Sequence, residues 1–237
     1  VGEKYTLRED LSPLGFVKAS DITFTIENTN EEQKITMIDK VVTMSKVDIA
    51  GKELEGAKMQ VIDKKGNIID EWVSSKEPHK INNLEENETY ILHEEVSIEG
   101  YVKTTDKEFT VSNEKINEHI EMIDKIVVIS KTDLVTGEEL PGAELIVTDE
   151  DGNEIDRWIS GKIPHQVIGL EEGKEYVLTE ITCPYGFEQA ESINFTVTTD
   201  KETQLIEMKD MPILKNIKIV KKDIDTQEII KDDFKFG

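Results

Sequence analysis

Apolar and polar residues alternate in short segments along the whole chain. Side chains of a β-strand point to opposite faces in turn, so alternation over about 4–8 residues predicts a strand with one buried face. Turn sequences separate these segments, and Thr136-Gly137 and Asp151-Gly152 are candidate hairpin turns. No segment shows sustained helical periodicity. The pattern therefore predicts an all-β chain.

The strand pattern repeats with a period of 85 or 86 residues. The sequence YTLRE at 5–9 returns as YILHE at 90–94 and as YVLTE at 176–180. Repeated short strands separated by turns predict tandem Ig-like β-sandwiches arranged as a rod. The predicted domains are the back part of one repeat at 1–40, complete repeats at 41–125 and 126–212, and the opening of a further repeat at 213–237.

Each repeat also carries charged residues in phase with the apolar face of a predicted strand. A lysine ends the apolar side of the first strand, a glutamate that of the middle strand, and an aspartate that of the last strand. These residues are Lys46, Glu94 and Asp124; Lys131, Glu180 and Asp210; Glu9 and Asp39 in the first partial repeat, on predicted strands 5–9 and 35–39; and Lys221 in the last, or Lys222 if that strand is shifted. Burying an unpaired charge costs several kcal/mol. The simplest compensation is that the three residues of a repeat meet.

Two interpretations of these residues remain open from the residues alone. The first is a buried ion triad, or strand ends that reach solvent. The second is chemical, because burial favours a neutral amine and a neutral carboxyl group, which are a nucleophile and an electrophile. A protonated glutamate beside them could shuttle protons while lysine and aspartate condense to an amide.

The motifs resemble those of Cna B-type domains, which are SpaA-like, prealbumin-like repeats of Gram-positive surface adhesins and pilins. The resemblance lies in the opening SKTDLVTGEELPGA at 130–143, the YVLTE strand, the turn CPYGF at 183–187 and the closing IEMKD at 206–210. It implies a prealbumin-like β-sandwich in which the lysine of the first strand is joined to the aspartate of the last. Carried over by position, it implies Lys46–Asp124 and Lys131–Asp210 isopeptide bonds, with Glu94 and Glu180 as the catalytic proton shuttles.

Composition narrows the function classes. The net charge of −23 opposes binding to nucleic acid or to an anionic membrane surface. Cys183 is the single cysteine, so no intrachain disulfide can staple these small sandwiches. No apolar run approaches the ~20 residues of a membrane span. We expect no cofactor and no metal, and an extracellular place on the surface or cell wall of a Gram-positive bacterium.

The preferred function is a structural stalk whose partners are the neighbouring repeats of the same chain. The alternatives are a ligand-binding adhesin module, with a ligand that the sequence does not identify, and a pilin subunit polymerised by a sortase. Self-assembly into fibres, in which neighbouring molecules complete the partial repeats, is a further hypothesis. A glycosidase using two carboxylates is disfavoured, because the pair would be remade beside a lysine in each repeat.

Overall fold

The computed structural model describes residues 1–215 and 219–230, and every helix or strand assigned within these ranges is a β-strand. This confirms the predicted all-β fold class. No helix able to cross a membrane is found in those two ranges. The chain opens with an antiparallel hairpin of β1 (Lys4–Leu7) and β2 (Ile22–Thr25). Two β-sandwiches follow it.

The first sandwich is built from a three-stranded and a four-stranded sheet. The three-stranded sheet has the order β6-β3-β9, and the four-stranded sheet has the order β5-β4-β7-β8. Strands β3 and β9, the first and last of this sandwich, are parallel neighbours, whereas the other pairs are antiparallel. The strands are β3 (Val41–Asp48), β4 (Lys58–Asp63), β5 (Ile68–Val73), β6 (His79–Lys80), β7 (Thr89–Val96), β8 (Lys107–Thr110) and β9 (Asn117–Asp124).

The second sandwich has the same topology with one more short strand. Its sheets have the orders β13-β10-β17-β15 and β12-β11-β14-β16, and β10 and β17 are again parallel neighbours. The strands are β10 (Val127–Asp133), β11 (Glu144–Thr148), β12 (Glu154–Ile159), β13 (His165–Gln166), β14 (Glu175–Thr182), β15 (Phe187–Glu188), β16 (Ile193–Thr196) and β17 (Gln204–Pro212).

A separate hydrophobic core lies between the two sheets of each sandwich. In the first, Met44 and Met122 of one sheet face Met59, Val61 and Leu92 of the other, and all five are buried. The equivalent core residues of the second sandwich are Ile129, Met208, Leu145, Val147 and Leu178. Burial of one such side chain contributes about 1.5–3 kcal/mol. The apolar residues of the alternating segments therefore form the inward face of each strand.

A cluster of aspartate, histidine and tryptophan spans the two sheets at one edge of each sandwich. The His79 ring stacks on Trp72 with centroids 4.3 Å apart, and its Nε2 lies 3.0 Å from Asp70 Oδ2. His79 belongs to β6 of one sheet, whereas Trp72 and Asp70 belong to β5 of the other. The contact therefore ties the sheets together. The second sandwich repeats it with Asp156, Trp158 and His165.

Two strands predicted in the partial repeats are absent from the described residues. Residues 35–39 form no strand, so the prediction of a strand ending at Asp39 is wrong. In each sandwich the corresponding strand pairs with the first strand, and the described residues around 1–40 supply no such partner. Residues 219–221 also form no strand. Ile217 and positions 231–237 of the predicted last repeat lie outside the described residues.

Candidate functional site

The parallel pairing of β3 with β9 places Lys46 and Asp124 on the same inward face. Lys46 lies opposite Met122, and Asp124 follows two positions later, so its side chain points to the same side. Glu94 comes from β7 of the facing sheet, where it lies opposite Met59. The Lys46 ammonium nitrogen contacts Asp124 Oδ1 and lies 3.0 Å from Glu94 Oε1.

The second sandwich builds the same triad from equivalent strands. Lys131 of β10 lies opposite Met208 of β17, two positions before Asp210. Lys131 Nζ contacts Asp210 Oδ1 and lies 3.0 Å from Oε1 of Glu180, which belongs to β14 of the facing sheet. The structure thus brings together the six residues that the sequence analysis assigned to the two complete repeats.

Both triads are closed to solvent. The side chains of Lys46, Glu94 and Asp124 are 0% exposed. Burial raises the pKa of Asp124 to about 6, with the Lys46 charge acting against the rise and the Glu94 charge adding to it. Burial likewise raises the pKa of Asp210, against the hydrogen bond from Lys131. The raised pKa increases the neutral fraction of each aspartate, which is the form that can act as an electrophile for an amine.

The triads leave buried carboxyl oxygens without hydrogen bonds. These atoms are Glu94 Oε1, Asp124 Oδ2, Glu180 Oε1 and Asp210 Oδ2. The two glutamate oxygens lie 3.0 Å from a lysine nitrogen, yet not in hydrogen-bond geometry. A buried polar atom without a partner costs about 1–3 kcal/mol. Condensation of lysine with aspartate would remove one carboxyl oxygen of each aspartate as water.

A backbone N–H group ten residues further along the chain orients each glutamate. Thr104 N donates to Glu94 Oε2 at 2.9 Å, and Ala190 N donates to Glu180 Oε2 at 2.8 Å. The other oxygen of each glutamate is thereby turned to the lysine. The Thr104 hydroxyl also donates to Asp124 Oδ1. Sequence reasoning missed Thr104, because the equivalent positions are alanines and no charge or alternation marks them.

The residues assigned in the partial repeats do not form a triad. Glu9 keeps its backbone partner, since Ala19 N donates to Glu9 Oε2 at 2.7 Å. Asp39 is half-buried and outside any strand. The backbone oxygen of Lys221 accepts from Ile230 N at 2.8 Å, as that of Lys131 accepts from Leu140 N at 2.6 Å. This register makes Lys221, rather than Lys222, equivalent to Lys131.

Comparison with known proteins gives one family for both sandwiches. The model of the SpaA prealbumin-like fold domain matches residues 40–126 and 125–212. No curated protein matches the chain. Similar solved structures include the shaft pilin SpaA of Lactobacillus rhamnosus GG, at 12% identity and a TM-score of 0.34 over 76% of this chain and 99% of that chain. A streptococcal ancillary pilin matches at 21% identity and a TM-score of 0.36, over 87% of this chain and 75% of that chain.

Proposed function

Because the chain belongs to the family of SpaA prealbumin-like fold domains, we propose that it is a spacer segment of a Gram-positive cell-surface adhesin or fibre. Each complete repeat, 41–125 and 126–212, is locked by an isopeptide bond that it forms itself. The partial repeats at 1–40 and 213–237 belong to the same array. The observation that carries the proposal is the solvent-free contact of a lysine amine with an aspartate carboxyl group beside a glutamate.

The proposed reaction is a condensation within the folded sandwich. The neutral Nζ of Lys46 attacks Cγ of Asp124, a C–N bond forms, and one C–O bond breaks. Glu94 accepts a proton from the nitrogen and delivers a proton to the departing oxygen, so that water leaves. The fold holds the reacting groups in contact, and such positioning can supply about 7–11 kcal/mol of a barrier. Lys131, Asp210 and Glu180 perform the same step in the second repeat.

The cross-link accounts for the buried groups better than an ion triad does. An unlinked site holds one lysine amine and two carboxyl groups shielded from solvent, and one oxygen of each carboxyl group lacks a hydrogen bond. Such a buried cluster is weak support for stability, because desolvation offsets the attraction between its charges. An amide replaces two of the ionisable groups by one neutral group. The reaction occurs once in each repeat, so the protein modifies itself and turns over no substrate.

The cell-surface role is supported by features outside the triads. The net charge of −23 keeps a secreted chain soluble. The chain has no disulfide to staple its sandwiches, and an amide would serve instead without being open to reduction. The tandem order of units with the same strand pattern and the same triad favours spacing over recognition.

The test is the mass of the intact protein under denaturing conditions. We expect a mass two waters below that of the 27.0 kDa sequence. Glu94→Gln and Glu180→Gln should each restore one water, and peptide mapping should locate the remaining amide in the other repeat. Glu95→Gln, which changes an exposed neighbour on the same strand, is the matched control and should keep both bonds. The full sequence mass in the wild-type protein would overturn the proposed cross-links.

A further inference from the structure

The segment between β7 and β8 runs over the surface of the second sandwich. We call residues 100–105 the junction segment. Val102 is buried in the core of the second sandwich and is 1% exposed. Lys103 N donates to Leu170 O at 2.8 Å, and Glu172 N donates to Lys103 O at 3.0 Å. Although it belongs to the first repeat by sequence, the junction segment is therefore held by the second.

The same segment holds the triad of the first sandwich. Its Thr104 supplies the N–H group that orients Glu94 and the hydroxyl group that contacts Asp124. The residue on each side of Thr104 is fixed by the second sandwich, since Lys103 pairs with Leu170 as described and Thr105 N donates to Glu172 Oε2 at 3.1 Å. Thr104 is thus clamped between the two sandwiches.

The preceding junction repeats this arrangement at residues 15–20. Val17 is buried in the core of the first sandwich. Lys18 N donates to Leu84 O at 2.8 Å, and Ala19 N orients Glu9 as described. Ser20 N donates to Glu86 Oε2 at 3.0 Å. Two junctions therefore place the N–H donor for a glutamate of one repeat on a segment that is docked to the next.

The second sandwich departs from this pattern. Glu188 stands where Val17 and Val102 stand in the other junctions, and it is exposed. Its segment is held within its own sandwich instead, because β15 pairs with the end of β17. Ala190 N nevertheless donates to Glu180. Within the described residues, the second triad is thus oriented by contacts of its own repeat.

We propose that docking of the second sandwich onto the junction segment positions Glu94 and Asp124 for bond formation with Lys46. The second sandwich positions its own triad. This inference rests on the proposed function, since it concerns the formation of the same bonds. Its physical basis is the steep dependence of such reactions on geometry, where a displacement of about 1 Å can cost on the order of 100-fold in rate. Thr104 is a positioning residue in this arrangement, and cross-linking of one repeat follows the folding of the next.

The test is Val102→Glu in the full chain, which introduces the residue found naturally at position 188. The protein is made by cell-free synthesis, denatured at timed intervals and digested, and the two cross-linked peptide pairs are quantified by mass spectrometry. We expect formation of the Lys46–Asp124 amide to slow by about 10-fold or more, while the Lys131–Asp210 amide forms as in the wild type. Glu188→Val is the matched control and should alter neither rate.

The Lys131–Asp210 amide reports whether the second sandwich still folds. If Val102→Glu abolishes both amides, the second sandwich has failed to fold. The Gln166→Ala variant then tests the coupling instead. That change removes only the 2.6 Å hydrogen bond from Gln166 Nε2 to Gly100 O, and it should slow the first amide several-fold. An unchanged rate for the first amide in either variant, with the second amide intact, would overturn the coupling. Absence of both amides from the wild type would overturn the proposed function itself.

A separate measurement distinguishes positioning from general destabilisation. In a Glu94→Gln background, where the first amide cannot form, Val102→Glu should leave the urea unfolding midpoint of the first sandwich nearly unchanged, because Val102 packs in the second core. A large drop in that midpoint would show that slow cross-linking reflects an unfolded first sandwich and would overturn the positioning role.

Discussion

Replacing the glutamate that we propose as the proton shuttle of one repeat tests the stabilising effect of the proposed cross-link. Glu94→Gln keeps the size of the side chain and an oxygen that can accept from Thr104 N, but it removes the carboxyl group that we propose to shuttle protons. Lys46 and Asp124 remain in contact as an unlinked pair. The difference from the wild type therefore reports mainly the covalent bond, together with the loss of the Glu94 charge beside Lys46.

The magnitude follows from the length of chain that the bond closes. Lys46 and Asp124 are 78 positions apart in the sequence. By analogy with a disulfide that closes a loop of this length, loss of the bond releases chain entropy worth about 4.5 kcal/mol. For a domain of this size, 1 kcal/mol shifts the melting temperature by about 4–8 °C. The first sandwich of Glu94→Gln is thus expected to melt roughly 20–35 °C lower.

Differential scanning calorimetry with mass spectrometry on the same samples is the assay. The Glu94→Gln protein should show one water more than the wild type and one transition moved to lower temperature. Glu95→Gln should show neither change. A Glu94→Gln variant that lacks the amide but melts within about 5 °C of the wild type would refute the loop-closure reasoning. The amide of the wild type would then add no stability by constraining the unfolded chain.

Three further perturbations test single contacts. Lys46→Met cannot form the amide and removes the charge that opposes the raised pKa of Asp124, which is about 6 beside Lys46. The stability of this variant in urea titrations should be highest below the ordinary aspartate pKa of 3.8 and should fall as pH rises from there to beyond 6. A second change, Asp124→Asn, should flatten that profile, and a profile that rises with pH would contradict the assignment. Thr104→Ala removes a hydroxyl group but not the N–H group that holds Glu94. Timed mass spectra should therefore show the first amide forming more slowly yet to completion. A permanently unlinked product would contradict this. His79→Ala removes the ring that joins the two sheets through Asp70 and should cost about 1.5–3 kcal/mol in urea unfolding, whereas an unchanged midpoint would show that the edge contact contributes nothing.

The triads could be predicted from the sequence because residues two positions apart on a strand point to the same face. Lys46, Glu94 and Asp124 each continue the apolar phase of a strand, so their common inward direction follows from the alternation alone. That β3 and β9 are neighbours does not follow from alternation, because the pairing of the first strand with the last is a property of the whole sandwich. The resemblance to a known domain family supplied that pairing.

The junction contacts could not be predicted in the same way. Val102 and Lys103 follow β7 in an irregular stretch where side-chain direction has no fixed period, and Val102 is buried by a different repeat from the one that contains it in sequence. The prediction for residues 35–39 failed in the opposite way, because a strand was predicted there and none forms. Their alternation is as regular as that of β9, but a parallel strand exists only when its neighbour supplies the hydrogen bonds.

The position of the proposed bond decides how the repeat would carry load. A pulling force that enters the first sandwich at Val41 travels along β3 to Lys46, crosses the amide to Asp124 at the end of β9, and passes into β10. Lys46 and Asp124 are 78 positions apart, so the chain between them then lies outside the load path, whereas it would otherwise add about 270 Å of extended length. Without the amide, the same force shears the parallel ladder of β3 and β9, which is then held only by non-covalent contacts. A bond between any other pair of strands would leave part of the sandwich free to unravel, so the pairing of first with last strand is the one that makes an inextensible spacer.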